Sequence, residues 1–289
     1  MKQIRFVMIA VLAAVLAGTA APAWAQERDD DEDQVQESRI LSDRWSFWVG
    51  GFRPEFTTQF AVGSPTLVGT LIRLEDTLGL AEDLSRGRVG GFYRFGPKKA
   101  ILFDFTVLNR RALTAIASDI NFEDLIFQAG GLIDSEFDNT ILTVTYRHSF
   151  INNGKTEAGF TAGLSAFAFD IKLAGVALVD DGAGPMLRQA EGSESITVPV
   201  PAFGMYINHA FTPTVILRMS AGFLNLDLSD FEGRYLTTSV TVDWIFSRHF
   251  GLGAGLTRSD LDFADTGGQN PYDVEYRLGG PTLYISLVF

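Results

Sequence analysis

The chain contains no cysteine. Disulfides are therefore excluded, and so is lipid attachment through an amino-terminal cysteine; an exported protein of this kind must draw its stability from elsewhere. Beyond residue 25 no apolar run is long enough for a helix to cross roughly 30 Å of hydrocarbon. That absence leaves strands open as membrane-crossing elements, because alternating strands have unremarkable average hydropathy. A mean hydropathy of +0.14 with 20% charged residues fits such a compromise. Positive charge is scarce, with 23 Lys and Arg against 35 Asp and Glu, which argues against nucleic acid as a partner. Histidine is scarcer still, with three in the whole chain.

What is present begins with a processing signal. Lys2 and Arg5 form a basic start, Phe6 to Leu16 is apolar, and Ala23-Trp24-Ala25 offers small residues where a signal peptidase would cut. Residues 1–25 therefore read as a signal peptide. Its removal takes Lys2 and Arg5 away and moves the formal charge from −12 to −14. Residues 26–43 follow as an acidic tail carrying Asp29-Asp30-Asp31-Glu32-Asp33. Like charges repel and no aromatic residue is available for a core, so disorder is expected there. The run lacks the spaced ligands and turn glycine of a calcium loop.

From residue 44 the composition turns to aromatics, glycine and β-branched residues in alternation. Ten strands are expected: Trp45–Val62, Arg88–Phe95, Ala100–Leu113, Phe137–Phe150, Thr156–Val176, Ser195–Ala210, Val215–Leu228, Tyr235–Phe246, Phe250–Phe263 and Tyr272–Phe289. Pro54, Pro199 and Pro201 predict local bulges or bends, since proline cannot donate to a ladder. In the seventh strand the apolar phase slips near Gly222, as a β-bulge would cause. A three-residue loop at Pro97-Lys98-Lys99 would pair Tyr93 with Phe103 and Phe92 with Asp104. Connections after strands two, four, six and eight are short, whereas most of the others are long. Short turns on one side and longer loops on the other are the layout of a closed, antiparallel, up-and-down transmembrane β-barrel. Eight or twelve strands remain open, because residues 116–133 have room for another pair; a soluble sandwich is the alternative architecture.

The Ala23-Trp24-Ala25 site, the alternating strands and the ending Leu283, Ile285, Leu287 and Phe289 resemble the small β-barrel proteins of Gram-negative outer membranes, and more distantly the OmpX- and OmpW-like barrels. The stretch Ile72 to Leu80 is similar to one in the first outer loop of such proteins. The resemblance implies an outer-membrane location with both termini periplasmic. It also implies an insertion signal at the carboxy terminus and two partners, the membrane lipid and the barrel-assembly machinery. It names no substrate, and a small-molecule ligand stays unknown.

On a barrel, one face of every strand meets lipid and the other the lumen. Tyr93, Phe95, Tyr146, Trp244, Phe246 and Phe289 are candidates for an aromatic girdle near the short turns. Arg88, Arg94, Asp104, Arg147, Arg218 and Asp243 are the expected lumen charges, with Arg94 and Asp104 expected to interact. The loop at residues 64–85 suits either a short amphipathic helix that folds over the mouth or into the lumen, or a solvent-facing, poorly ordered loop. His148, His209 and His249 each lie beside a short turn, far from surface chemistry and without zinc spacing, so neither catalysis, a cofactor nor a metal is expected. The function expected is a narrow pore or passive channel for small solutes or hydrophobic molecules. A non-conducting structural or surface-interaction barrel with a filled lumen is the alternative, and a barrel enzyme the remote one.

Overall fold

The computed structural model of the chain describes residues 41, 43–64, 68–180, 185–228, 231–265, 267 and 272–289. The expected signal peptide and all of the expected acidic tail except Leu41 and Asp43 lie outside the described residues.

The strands are β1 (Trp45–Phe52), β2 (Glu55–Val62), β3 (Ile72–Arg73), β4 (Arg86–Gly96), β5 (Lys99–Ala115), β6 (Ile120–Phe122), β7 (Leu125–Phe127), β8 (Leu132–Asn152), β9 (Thr156–Asp180), β10 (Pro185–Thr212), β11 (Val215–Leu228), β12 (Phe231–Ile245), β13 (Phe250–Asp265) and β14 (Tyr272–Val288). A single-turn helix, α1 (Leu74–Leu78), follows β3. Each wall strand pairs antiparallel with its neighbours, and the ring closes where β14 pairs with both β1 and β2. The wall has ten strands, with β1 and β2 acting as one. Closure removes the free edges that lipid could not hydrogen-bond.

Pro54 interrupts the first wall strand without inserting a residue. Phe52 pairs with Thr282, Arg53 N–H donates to Pro281 O, and Glu55 pairs with Gly279, all in one register. The β9–β10 ladder likewise runs unbroken past Pro199 and Pro201, opposite Ala166 and Leu164. The cost of those prolines falls on the other edge. The β10–β11 ladder stops at Phe203 and Phe223, leaving a small notch of about 20 Å³ bordered by Pro199, Pro201, Leu224 and Leu226. Among the described residues three register shifts occur, at Arg94/Gly96, Ser149/Ile151 and Ala210/Thr212, all beside short turns.

The phase slip near Gly222 is not a bulge. β11 pairs with β12 in one register from Val215–Trp244 to Leu228–Phe231. What changes there is the surroundings. Leu217, Met219 and Phe223 face outward, and beyond them the outward residues are Asn225 and Asp227 while Leu224 and Leu226 face inward. The same inversion runs round the barrel. The outward apolar stretch, such as Val215–Phe223, is close to the ~9–11 residues a tilted strand needs to cross a bilayer. It carries an aromatic rim at the short-turn end, where Trp45 stacks on Tyr93 with ring centroids 4.1 Å apart, and Phe95 meets Tyr93 and Tyr146 in tilted contacts at 6.4 and 6.2 Å. Leu283, Ile285, Leu287 and Phe289 all point outward, at 56%, 54%, 36% and 56% exposure.

Beyond this belt the outer wall surface is charged, with Arg111–Glu136, Arg234–Asp262, Arg258–Asp260 and Arg277–Glu275 pairs. The interior there is a hydrocarbon core. Tyr276 is fully buried among Phe56, Phe137, Phe167 and Phe169, with ring centroids 5.3–6.5 Å away. Residues 116–133 add no wall strand. β6 and β7 form a small hairpin whose Ile126 and Phe127 pair with Leu178 and Ala177 of β9, and Ile120, Phe122 and Phe127 are buried.

Candidate functional site within the lumen

The lumen inside the apolar belt is built by the inward members of each alternation. On β5 these include Leu102, Asp104 and Thr106; on β8, Thr143, Thr145 and Arg147; on β12, Thr237, Ser239, Thr241 and Asp243. Side chains that would be costly in lipid line a chamber of about 280 Å³ instead. Arg88, Asp104, Arg147, Arg218 and Asp243 all border it, and Arg94 lies toward the short-turn end.

The charges pair across strands. Arg88 Nε donates to both carboxylate oxygens of Asp104 at 2.9 Å. The expected Arg94–Asp104 contact is not made. The β4–β5 loop holds two residues, Pro97 and Lys98, and a bulge between Arg94 and Gly96 slips the ladder by one more, so Gly91, and not Tyr93, pairs with Phe103, and Asp104 comes opposite Gly90. A shift of two residues keeps every side chain on its expected face but changes its neighbours. Arg94 instead forms a two-point ion pair with Glu157, Nη1 to Oε1 at 2.9 Å and Nη2 to Oε2 at 3.0 Å. Glu157 also accepts from Ser149 Oγ at 2.7 Å, Tyr206 OH at 3.1 Å and Asn208 Nδ2 at 3.3 Å. Such a carboxylate has every lone pair engaged, which is the condition for a buried charge to be tolerated. Between β11 and β12, Arg218 Nε donates to Asp243 Oδ2 at 2.5 Å, and Tyr284 OH of β14 donates to Asp243 Oδ1. Gly253 leaves the room for this, because a Cβ there would lie 2.2 Å from the Tyr284 ring.

Arg147 has no such partner. Its guanidinium carbon lies 4.5 Å from the centroid of the Tyr206 ring, and its Nε is buried with no hydrogen bond. Four arginines (Arg88, Arg94, Arg147 and Arg218) thus face three carboxylates (Asp104, Glu157 and Asp243).

Glu157, Tyr206 and Asn208 escaped the sequence reading. Glu157 stands two residues before Gly159 on the face that carries Gly159, Thr161 and Gly163, so extending the alternation into the turn finds it. Tyr206 and Asn208 sit between the outward Met205, Ile207 and His209, which gives the same kind of signal.

The chamber is capped toward the long loops. α1 and its flanks insert Leu74, Leu78 and Leu80 into the hydrocarbon core. Gly79, at φ 67°, ends the helix in the left-handed conformation, and its N–H returns to Leu74 O. The cap is tied to the wall by Arg110. Its Nη1 donates to Glu75 Oε1 at 2.5 Å and its Nη2 to Thr58 Oγ1 at 2.8 Å, while the guanidinium lies 4.3 and 5.0 Å from the Phe56 and Phe137 ring centroids. At the short-turn end Leu41 is buried with Ala210, Ile216, Ile245 and Val288.

The histidines stay at that end on the outer surface: Thr156 Oγ1 lies 2.9 Å from His209 Nδ1, and His249 stacks on Phe289. Among the described residues no group of three or more His, Asp or Glu is placed to hold a metal.

No family model matches the chain, and no curated protein sequence does. Comparison with solved structures does give matches. The outer membrane protease OmpT of Escherichia coli superposes with a TM-score of 0.52 at 9% identity, over 86% of this chain and 97% of its own. The attachment invasion locus protein Ail of Yersinia pestis gives 0.33 at 12% identity, over 86% and 99%. A FadL homologue of Pseudomonas aeruginosa gives 0.39 at 8% identity, over 88% and 92%. The fold is that of the outer-membrane β-barrels.

Proposed function

We propose that the protein is an outer-membrane barrel that is closed at rest, a structural or surface-interaction element with a filled interior. The observation that carries this reading is the hydrocarbon layer between the chamber and the long-loop end. Phe52, Phe60, Phe137, Phe169, Val198 and Phe263 come from strands all round the ring and meet Leu74 and Leu78 of the cap. Such a layer opposes the passage of water and ions, since its buried Arg110, Glu75 and Thr58 are tied to one another, and breaking it open would expose tightly packed aromatic surface. Its apolar belt would be solvated by outer-membrane lipid, and its last strand would be read by the barrel-assembly machinery. With the short turns in the periplasm, both termini lie there, and the charged wall beyond the belt faces outward from the cell. The placement of the histidines beside the short turns supports a non-enzymatic role.

Purified protein in planar bilayers is expected to be electrically silent, with a heat-modifiable band in gels of the outer-membrane fraction. Steady single-channel openings of the unmodified chain would defeat the closed reading and favour the second one, a narrow pore for small solutes or hydrophobic molecules. That second reading draws support from one feature: the cap is made of loop segments, not of wall strands.

A further inference from the structure

We infer that the lumen chamber binds a small monocarboxylate, with Arg147 as the group that receives the carboxylate. The inference rests on the closed reading only in that the hydrocarbon layer forms one wall of the chamber; conductance tests that reading separately.

Three observations converge on Arg147. Every other charge in the belt-level lumen is neutralised by a partner on a neighbouring or facing strand, and Arg147 alone makes neither an ion pair nor a hydrogen bond among the described residues. Its Nε is buried and unpaired, a costly arrangement for a charged donor in the absence of an acceptor. The guanidinium carbon lies 4.5 Å from the centroid of the Tyr206 ring, and Tyr206 is fixed in turn by donating its hydroxyl to Glu157, beside Ser149 Oγ at 2.6 Å. A guanidinium resting over an aromatic ring, with no ion pair of its own, has its Nη donors left for a planar acceptor, which is what a carboxylate offers.

The chamber's lining narrows the ligand further. The lumen carries one positive charge in excess, which a monoanion balances and a divalent anion overshoots. Around Arg147 the wall offers hydroxyls, Thr145, Thr161 and Ser220 among them, and toward the hydrocarbon layer it offers Ile141 and Phe167. A head that hydrogen-bonds and a short apolar tail match that polar-to-apolar gradient. A volume of about 280 Å³ lies at the small end of ligand pockets and admits a short-chain acid, not a fatty acid.

The test uses the full mature chain folded from urea into detergent micelles with and without sodium butyrate, so that closure of the chamber does not bar entry. Thermal unfolding and the carbon-13 spectrum of labelled butyrate are the readouts, with chloride and phosphate at matched ionic strength as competitors. One bound butyrate per chain and a raised unfolding temperature are expected. Arg147→Met is expected to fold as well as the parent, because it removes an unpaired buried charge, and to bind butyrate about tenfold or more weakly. Arg147→Lys is expected to keep part of the binding. Three outcomes would each overturn the inference: a folded parent that binds no butyrate, undiminished binding in folded Arg147→Met, or equal competition by chloride, which marks a plain counter-ion site.

Discussion

Along β11, Leu217, Met219 and Phe223 face outward and Arg218 and Ser220 inward; a few residues further, Asn225 and Asp227 face outward and Leu224 and Leu226 inward. One strand, in one register, thus serves two opposite solvents. At the short-turn end the barrel is greasy outside and polar within. At the long-loop end it is charged outside and filled with Phe, Leu and Tyr. The backbone hydrogen bonds are the same in both halves, so what differs is the source of stability. In lipid, apolar flanks gain little from contact with one another, and the interior is free to be polar. In water, the hydrophobic effect needs a buried core, and the wall must curl around one.

The sharpest way to break that comparison is to remove bulk from each interior. Phe169 packs on Phe137, Phe167 and Tyr276 at 5.9, 6.1 and 5.3 Å between ring centroids. Phe169→Ala is expected to cost about 3–5 kcal/mol through lost transfer energy and a cavity. Thr143 borders the chamber and shares a 2.9 Å hydrogen bond with Ser165. Thr143→Ala is expected to cost about 1 kcal/mol or less, because the chamber can supply water to Ser165. Urea unfolding in lipid vesicles measures both. Equal losses would mean that the two interiors are not energetically distinct.

The two halves were also unequally legible. Alternation in Tyr235–Phe246 and in the closing strand reads directly as a face toward lipid and a face toward the lumen, and the short and long connections order the strands round a ring. The outer half hides its signal. There the apolar phase moves to the other face, and in β11 the change imitates a bulge. Partner choice was hidden for a different reason: Asp104 selects Arg88 because a two-residue loop, not a three-residue one, joins β4 to β5 and a bulge between Arg94 and Gly96 adds a second residue of slip, and the sequence Gly96-Pro97-Lys98-Lys99 announces neither. The Arg94–Glu157 pair joins residues 63 apart, on strands separated round the ring by β5 and β8. No local pattern reports such a contact.

The cap sharpens the comparison from the side of charge. Arg110–Glu75 lies in the hydrocarbon half with side-chain exposures of 1% and 8%, whereas Arg53–Asp83 lies on the outer surface at 66% and 49%. Glu75→Ala strands a buried guanidinium and is expected to destabilise the cap by about 3–5 kcal/mol. It should appear as faster hydrogen exchange and proteolysis within residues 68–85 before the barrel itself unfolds. Adding Arg110→Met is expected to restore most of the loss, since an apolar side chain suits that site. Asp83→Ala is expected to cost between 0 and about 1 kcal/mol, as exposed pairs do. A cap that stays protected in Glu75→Ala would show that Leu74 and Leu78 hold it unaided.

The smallest effect lies at the long-loop rim. Glu123 sits in the β6–β7 turn at φ 52°, a left-handed conformation uncommon for residues other than glycine. Burial raises its pKa, and the carboxylates of Glu194 and Asp124 raise it further. The folded-state pKa therefore stands above the unfolded value. Between the two, the folded chain keeps a proton that the unfolded chain has released, so the folded state loses stability as pH climbs through that window, and the loss is complete above the folded pKa. Unfolding temperature is accordingly expected to fall slightly as pH rises just past the ordinary carboxylate range. Glu123→Gln should flatten that slope while leaving the backbone strain in place. Glu123→Gly should flatten it and also raise stability at every pH, because glycine adopts positive φ without penalty. A slope that persists in Glu123→Gln would assign it to other carboxyls raised by burial, of which Asp138 and Asp273 are the candidates on the outer wall.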